Sequence, residues 1–374
     1  MLTSDAAHDA LDRTVKAFAD GCNIVLGASK NLKTSNKVKL QHAVYDGVRK
    51  QTGLSANLTI RAIARVCYAV KVAAKCGKYV SEFKPTSIDY DQRIFAYRER
   101  DESVSLTTVK GRIHVPLKIG EYQRLALAGK KPTCARAVRQ GNKWSIHIVI
   151  DENPPEKKWG PPLGIDLGIR NIATLSTGKR ISGMKIQATK ERYAKLRASL
   201  QSKGTRGAKR LLRRLSGRER RFVSWTNHNV SKSIIQEAVK NGRGTIRFEN
   251  LKGIRERARS WNKHKNRMIS GWSFGQLQTF ASYKAERAGL AVDFVDPAWT
   301  SQTCAICGTR GVRMGLLFTC ATCGPAHADV NAARNIAAGG VEPREIRGDR
   351  NATRIADHIV EFFSHCSQAK AAGF

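Results

Sequence analysis

The sequence predicts a multidomain protein with a helical region, an antiparallel β-region and an α/β region that carries a cysteine-rich insertion. Three observations support this prediction. The length of 374 residues exceeds that of one ordinary domain. The spacing of apolar residues changes along the chain from a helical period to a strand period, and then alternates between the two. Four of the nine cysteines lie close together near the C-terminal end.

The N-terminal part of the chain shows two successive periodicities. Apolar residues recur at three-to-four spacing in Leu58–Ala74, which predicts a helix within a helical region over 1–77. Over 78–151 the period becomes two, as in Trp144–Ile150, which predicts a small antiparallel β-domain. Segment 151–162 combines prolines with charges and predicts a linker.

From Leu163 onward, short apolar runs separated by helical patterns predict an α/β sheet. Strands are predicted at 163–168, 244–251 and 290–296. Further helices are predicted at 226–240 and at 274–288.

The net charge of +36 points to a polyanionic partner, because so much positive charge destabilises a compact protein by self-repulsion. Nucleic acid fits best, since the charge is not gathered on one amphipathic helix as membrane binding requires. Segment 179–221 is rich in Lys and Arg and predicts a basic helical hairpin that turns at Gly204 and Gly207. A second basic patch spans 252–267. The sequence contains no apolar run of about 18 residues, so we predict no transmembrane helix and expect a cytoplasmic location.

The clustered cysteines form two CxxC motifs, Cys304–Cys307 and Cys320–Cys323. Two such knuckles facing each other supply four thiolates in a tetrahedral arrangement, which suits a structural zinc ion. The alternatives are unliganded core cysteines and a redox pair, and a redox pair would not need the second motif. The scattered cysteines predict small buried side chains rather than a disulfide framework.

Three carboxylates accompany the predicted strands and helices of the α/β region. Asp166 lies inside the run LGIDLG, Glu249 lies inside the run TIRFENL, and Asp329 precedes a predicted helix. Acids from separate α/β elements that meet at one end of a sheet can bind two Mg²⁺ or Mn²⁺ ions about 4 Å apart and support phosphodiester cleavage. Each acid also has an ordinary structural explanation, namely a turn, an arginine ion pair and a helix N-cap. Spacing alone does not choose between these interpretations.

Four motifs occur in the order typical of one family. They are LGIDLGIRNIATLS (163–176), IRFENLKGIR (246–255), WTSQTCAICG (299–308) and HADVNAARNIA (327–337). The chain therefore resembles the TnpB proteins of insertion sequences, which are RNA-guided DNA endonucleases with a RuvC-type nuclease half and relatives of the type V CRISPR effectors. FKPTSIDYDQRIFAYR resembles the β-barrel, or wedge, region of that family, and the resemblance is weaker over 1–77.

The resemblance implies the following domains: a helical recognition lobe (1–77), an antiparallel β-barrel wedge domain (78–158), a ribonuclease H-like (RuvC) nuclease domain (159–300) that includes the basic hairpin, an inserted zinc ribbon (301–326), the last nuclease motif (327–340) and a C-terminal tail (341–374). Family members usually begin with a short barrel strand, whereas this sequence enters at a predicted helix. We expect either that the natural start lies upstream or that the barrel closes differently.

The resemblance also implies the site residues and the partners. Asp166, Glu249 and Asp329 correspond to the family's catalytic acids, which would hold Mg²⁺ or Mn²⁺, with Arg334 and Asn335 as supporting or substrate-contacting groups. The expected partners are a guide RNA and a double- or single-stranded DNA target in a prokaryotic, nucleoid-associated setting. The candidate nucleic-acid contacts are Lys185, Lys190, Arg213, Arg214, Arg220, Arg221, Lys252, Arg255 and Arg334.

The function that these observations predict is RNA-guided DNA cleavage by two-metal-ion hydrolysis. Two alternatives remain open: an RNA-guided DNA-binding repressor without cleavage, and a basic zinc-ribbon RNA-binding protein. The presence of all three acids favours cleavage over repression.

Overall fold

The computed structural model describes residues 5–251, 253 and 273–340, and the chain divides after Asn153 into two compact units. This division lies within the predicted linker at 151–162. The basic patch at 252–267, with the predicted contacts Lys252 and Arg255, and the tail at 341–374 lie outside the described residues.

The first unit consists of three long helices, six strands and one short helix. These elements are α1 (Asp5–Asn31), α2 (Lys37–Thr52), α3 (Ala56–Lys75), β1 (Ser87–Asp91), β2 (Phe95–Arg98), β3 (Ser103–Thr108), β4 (Gly111–Pro116), α4 (Glu121–Leu127), β5 (Cys134–Gln140) and β6 (Lys143–Val149). As predicted, α3 is a helix that buries residues at three-to-four spacing, among them Leu58, Ala62 and Val66.

The strands of the first unit are antiparallel, as the period of two predicts, and form two three-stranded sheets. One sheet has the order β1-β5-β6 and the other β2-β3-β4. A closed barrel therefore stays a prediction. The largest buried side chains of the helices and strands, including Phe18, Tyr90 and Trp144, belong to one hydrophobic cluster. No helix in the described part of the chain is long and apolar enough to cross a membrane.

The second unit contains a five-stranded sheet, four helices and a small three-stranded sheet in its described part. The elements are β7 (Pro162–Asp166), β8 (Asn171–Leu175), β9 (Arg180–Ser182), α5 (Met184–Lys203), α6 (Arg206–Lys240), β10 (Thr245–Glu249), α7 (Phe274–Arg287), β11 (Ala291–Val295), β12 (Val312–Met314), β13 (Leu317–Cys320), β14 (Gly324–His327) and α8 (Ala328–Ala338).

The large sheet has the strand order β11-β10-β7-β8-β9. The first three strands along the chain form an antiparallel meander, and β10 and β11 then add in parallel on the other side of β7. Alternate residues of a strand face the same side. Leu163 and Ile165 accordingly pack with Val230 of α6 and Leu277 of α7 in one hydrophobic cluster.

The predicted basic hairpin forms from α5 and α6, and Gly204 ends α5 with a left-handed φ of 61°. The prediction of a separate helix at 226–240 was wrong, because α6 continues without a break from Arg206 to Lys240. Neither proline nor a capping turn interrupts the segment between 221 and 226, so nothing there stops a helix that has already formed.

Gly164 allows α8 to pack directly on the centre of the large sheet. A Cβ atom at Gly164 would overlap the carbonyl oxygen of Ala333 and the amide of Ala337. Helix α8 therefore covers the face of β7 that Gly164 and Asp166 share, opposite α6 and α7. On the same face, Arg247 Nη1 donates to the carbonyl of Ala337 at 2.6 Å and fixes the C-terminal end of α8.

In the first unit, one buried carboxylate joins the helices to the strands. Asp89 on β1 accepts from Arg65 Nε on α3 at 2.7 Å and from Arg136 Nε on β5 at 2.6 Å. Burial alone would raise the pKa of Asp89, but its hydrogen bonds and charge interactions with the two arginines outweigh burial and lower this pKa.

We predict that Asp89→Asn lowers the free energy of unfolding of the first unit by about 2–3 kcal/mol at neutral pH, because both guanidinium groups lose their anionic partner. The lowered pKa gives wild-type Asp89 a stabilising effect that is present above its unfolded value of about 3.9 and is lost as the pH falls through the lower folded value. The difference between variant and wild type should therefore shrink below about pH 4. Chemical denaturation at several pH values measures the free energy of unfolding of both proteins. A difference that stays constant down to pH 2 would contradict a stabilising role of the ionised Asp89.

Candidate functional site

Two of the predicted acids meet because of strand register. Asp166 ends β7 and Glu249 ends β10, and these strands are parallel neighbours with Ile165 paired to Phe248. The next residues along the two strands are therefore Asp166 and Glu249, side by side at the carboxyl edge of the sheet. Ile165 and Phe248 face the hydrophobic core, so both carboxylates face the opposite side, which α8 covers.

Asp329 comes to the same place from α8, in whose first turn it lies. Its side chain is held from two directions. Asn171 Nδ2 at the start of β8 donates to Oδ2 at 2.9 Å, and Arg313 Nη2 on β12 donates to Oδ1 at 2.8 Å. The structure thus gathers the three acids that the sequence singled out on one face of the sheet.

Burial and neighbouring charges act on this acid cluster, defined as Asp166, Glu249 and Asp329. Burial, followed by the charges of Glu249 and Asp329, raises the pKa of Asp166 to about 7, with Arg313 opposing the shift. Burial also raises the pKa of Glu249, against the hydrogen bond from Thr300 and the charge of Arg313. Carboxylates that are crowded and desolvated in this way favour a neutralising cation, and oxygen-only donors suit Mg²⁺ or Mn²⁺.

Three polar residues around the cluster escaped the sequence analysis as site residues. Thr300 Oγ1 donates to Glu249 Oε1 at 2.5 Å, and Asn171 and Arg313 bind Asp329. Asn171 and Thr300 lie within the family-like motifs at 163–176 and 299–308, so the motifs carried a signal for them. Arg313 lies between the two CxxC pairs, in no such motif, and no signal in the sequence identifies it.

The four clustered cysteines are brought together by β12, β13, β14 and the turns around them. The Sγ atoms of Cys307 and Cys320 are 3.5 Å apart, and the ligand atoms of all four cysteines lie within 4.8 Å of one another. A tetrahedral zinc ion with Zn–S bonds of about 2.3 Å would separate its sulfurs by about 3.8 Å, so this spacing suggests a zinc site. Gly308 and Gly324 follow the knuckles with φ values of 75° and 78°.

The cysteine cluster is tighter than the acid cluster. Among the described residues, only these cysteines form a group of three or more potential metal ligands whose ligand atoms all lie within 4.8 Å of one another. The ligand oxygens of the acid cluster do not all meet this limit, so they are spaced more widely. Asn171 and Arg313 bind Asp329, and Thr300 binds Glu249.

The predicted nucleic-acid contacts occupy two parts of the second unit. Those on the hairpin of α5 and α6 are exposed at Lys185, Arg213, Arg214, Arg220 and Arg221. Lys190 is only half-exposed, and burial lowers its pKa despite the nearby charge of Glu219. Arg334 is exposed on α8.

Two family models match the chain between residues 145 and 336. A "Cas12f1-like, TNB domain" model matches residues 274–336, and a "Probable transposase" model, OrfB_IS605, matches residues 145–255. These regions contain Asp166, Glu249, Asp329 and the four cysteines.

Three curated proteins resemble the chain over more than half of its length. A TnpB-like protein of Methanocaldococcus jannaschii is 37% identical over 57% of this chain and 80% of its own length. A CRISPR-associated endodeoxyribonuclease Cas12f1 of Sulfoacidibacillus thermotolerans is 34% identical over 52% of this chain, and the match spans only half of that relative. A putative RNA-guided DNA endonuclease of Streptomyces pristinaespiralis is 28% identical over 77% of this chain and 72% of its own length.

A solved structure shares the fold. The cryo-EM structure of a Cas12f1–sgRNA–target DNA complex contains a chain that superimposes with a TM-score of 0.66 at 16% identity, covering 89% of this chain and 83% of that one.

We predict one tightly bound zinc ion per chain, and we predict that Cys320→Ser removes it, because three thiolates and a hydroxyl bind zinc more weakly than four thiolates. Inductively coupled plasma mass spectrometry of the purified protein measures the molar ratio of zinc to protein. The variant should also unfold at a lower temperature, since metal-binding free energy contributes to the stability of a small ribbon.

Cys76→Ser is the matched control, because Cys76 is an exposed free cysteine at the end of α3. It should retain the full zinc content. Wild-type protein without bound zinc, or equal zinc in Cys320→Ser and wild type, would contradict the assignment.

Proposed function

Because this chain belongs to the family of TnpB-like proteins, we propose that it is an RNA-guided endonuclease that cuts DNA. The observation that supports the proposal most is the gathering of Asp166, Glu249 and Asp329 on one face of a mixed sheet, with pKa values raised for the first two. The printed names of the relatives from Sulfoacidibacillus and Streptomyces describe the same class of activity.

We propose that the second unit is a ribonuclease H-like (RuvC) domain with an inserted zinc ribbon. Its sheet order, an antiparallel meander followed by two parallel strands on the other side of β7, supports this proposal. In this proposal the nuclease boundaries lie at 159–300, 301–326 and 327–340. The helical lobe (1–77) and the wedge (78–158) come before them along the chain, and residues 154–158 of the wedge fall in the second unit.

In this proposal the acid cluster binds Mg²⁺ or Mn²⁺ through the carboxylates of Asp166, Glu249 and Asp329. The bound ions would activate the attacking water and stabilise the leaving oxygen of a phosphodiester. The donor set fits such ions, because these hard cations bind carboxylate oxygens and the cluster lacks thiolate or imidazole ligands among its described residues.

The residues around the cluster orient the ligands. Thr300 fixes one oxygen of Glu249, and Asn171 fixes one oxygen of Asp329. Arg313 supplies a positive charge next to Asp329, where it offsets part of the repulsion among the carboxylates.

The nucleic-acid partners are a guide RNA and the DNA strand that pairs with it. Base pairing would supply sequence specificity, and the protein would recognise the backbone and shape of the heteroduplex. The exposed arginines of the α5–α6 hairpin are positioned to bind phosphates, in keeping with the net charge of +36. Such a protein would act at the nucleoid of a prokaryotic cell.

We predict that Asp166→Ala lowers the rate of guided DNA cleavage in Mg²⁺ by about 10³-fold or more, because several kcal/mol of transition-state stabilisation are lost with the metal ligand. Guide-RNA affinity should stay unchanged. The protein is co-expressed with its flanking DNA, the co-purified RNA is sequenced, and cleavage of a matched plasmid is measured alongside RNA binding.

Asp46→Ala, which removes an exposed carboxylate on α2, should cleave at the wild-type rate. Cleavage by Asp166→Ala at that rate would disprove the site assignment. Wild-type protein that binds a matched target through its RNA but never cuts it would be a repressor, and protein that carries only bulk RNA would be a general RNA-binding protein.

We predict that the double variant Arg213→Gln/Arg214→Gln binds DNA more weakly and lowers the slope of log affinity against log salt concentration by up to about 2. Each lost phosphate contact no longer releases a counterion, which is the reason for the smaller slope. Fluorescence anisotropy at several salt concentrations measures it. The control Arg13→Gln/Lys110→Gln removes two charges that pair with Asp9, and equal effects of both double variants would contradict a specific role of the hairpin.

A further inference from the structure

Among the described residues, Thr300 is the one whose side chain donates a hydrogen bond to the carboxylate of Glu249. Thr300 is 1% exposed, and its Oγ1 lies 2.5 Å from Glu249 Oε1. Gln278 Nε2 also donates, at 2.9 Å, but to the backbone carbonyl of Glu249. Thr300 Oγ1 also lies 3.1 Å from the carbonyl oxygen of Pro297, and its shorter contact is the one with Glu249.

The residue before Thr300 has an unusual backbone conformation. Trp299 has a φ of 64°, in the left-handed region that bulky L-residues rarely occupy. Such a conformation persists only where surrounding contacts enforce it, and it is concentrated at functional sites. Here it redirects the chain after β11 so that Thr300 points at Glu249.

The contacts that enforce this conformation come from the segment that contains the cysteines. The guanidinium of Arg310 lies over the Trp299 ring, 3.9 Å from its centroid. The carbonyl of Trp299 accepts from the amides of Gln302 at 3.0 Å and Thr303 at 3.1 Å. Arg310 in turn pairs with Thr303 in a β-bridge next to the first cysteine knuckle.

Two asparagines of helix α8 bind the same turn. Asn335 Nδ2 donates to the carbonyls of Thr300 at 2.8 Å and Thr303 at 2.7 Å. Asn331 Nδ2 also donates to the carbonyl of Thr303, at 2.7 Å, and its Oδ1 accepts from the amide of Ala305 inside the knuckle, at 2.8 Å. Both asparagines are buried, and both lie on the helix that carries Asp329.

We propose that Thr300 is a positioning residue for Glu249, and that the cysteine ribbon holds Thr300 in place through Arg310 stacked on Trp299. The inference rests on the proposed function, since it assigns Glu249 a metal-ligand role. In this proposal the ribbon also orders the turn that contains Thr300, and this turn sets the rotation of the Glu249 carboxylate.

The test measures direct binding of Mn²⁺ to the RNA-free full chain. Electron paramagnetic resonance reports the concentration of the free ion. Thr300→Val removes the hydroxyl and nearly keeps the shape of the side chain, whereas Thr300→Ser keeps the hydroxyl. We expect Thr300→Val to bind Mn²⁺ about 10-fold more weakly, the usual effect of losing a hydrogen-bond partner of a metal ligand, and Thr300→Ser to bind within about 2-fold of wild type.

Arg310→Leu tests the link to the ribbon without altering a buried residue, because Arg310 is exposed. We expect weaker Mn²⁺ binding with an unchanged zinc content. Arg180→Leu on exposed β9 removes the same charge and should bind Mn²⁺ like wild type. Thermal unfolding and zinc analysis of each variant show whether it is folded.

The outcomes separate the two proposals. If Asp166→Ala loses Mn²⁺ binding but folded Thr300→Val keeps it, the positioning role is wrong and the proposed function stands. If Thr300→Val and Thr300→Ser lose binding equally, the hydroxyl is not the cause, and the positioning role is also wrong. If Asp166→Ala binds Mn²⁺ like wild type, the acid cluster is not the metal site and both proposals fail.

Discussion

The close contact between Gly164 and helix α8 is the constraint on which the candidate site depends. The helix backbone lies against the strand where any side chain at Gly164 would overlap it. This contact brings the first turn of α8, and with it Asp329, to the face of the sheet that carries Asp166. A helix packed over an ordinary side chain would stand several ångströms farther out, and the third carboxylate would lie beyond the reach of the other two.

The ribbon is joined to this arrangement by polar contacts and by a small hydrophobic cluster to which Ala328 of α8 contributes. Arg313 binds Asp329, and Asn331 and Asn335 bind the turn around the first knuckle. That cluster is small and contains Phe318, the buried Cys304 and Cys320, and Ala328. Hydrogen bonds depend on angle and distance far more than apolar contacts do, so this connection orients the ribbon relative to the sheet.

Sequence patterns predicted those parts of the site that local chemistry determines. The alternation in LGIDLG and TIRFE placed Asp166 and Glu249 on the polar side of their strands, and the paired CxxC motifs predicted the clustered cysteines. Thr300, Arg313 and Asn171 were missed as site residues because they act through contacts with residues between 16 and 158 positions away. The separate helix at 226–240 was wrong because the boundary was drawn where composition changes, whereas α6 contains no proline and continues from Arg206 to Lys240. The sequence also could not predict that the strands of the first unit form two sheets, since periodicity gives the face of each residue but not the pairing of strands.

Helix α6 is long and uninterrupted, so it connects the basic hairpin directly to the large sheet. Its 35 residues span about 52 Å. Val230, Ile234 and Ala238 anchor its C-terminal part in the core of the large sheet, while its first turns belong to the basic hairpin. A rotation of about 5° at the anchored part displaces the start of the helix, about 36 Å away, by about 3 Å. If nucleic acid binds the hairpin as proposed, a displacement of about 3 Å at the start of α6 would therefore correspond to only a small rotation where the helix packs on the sheet.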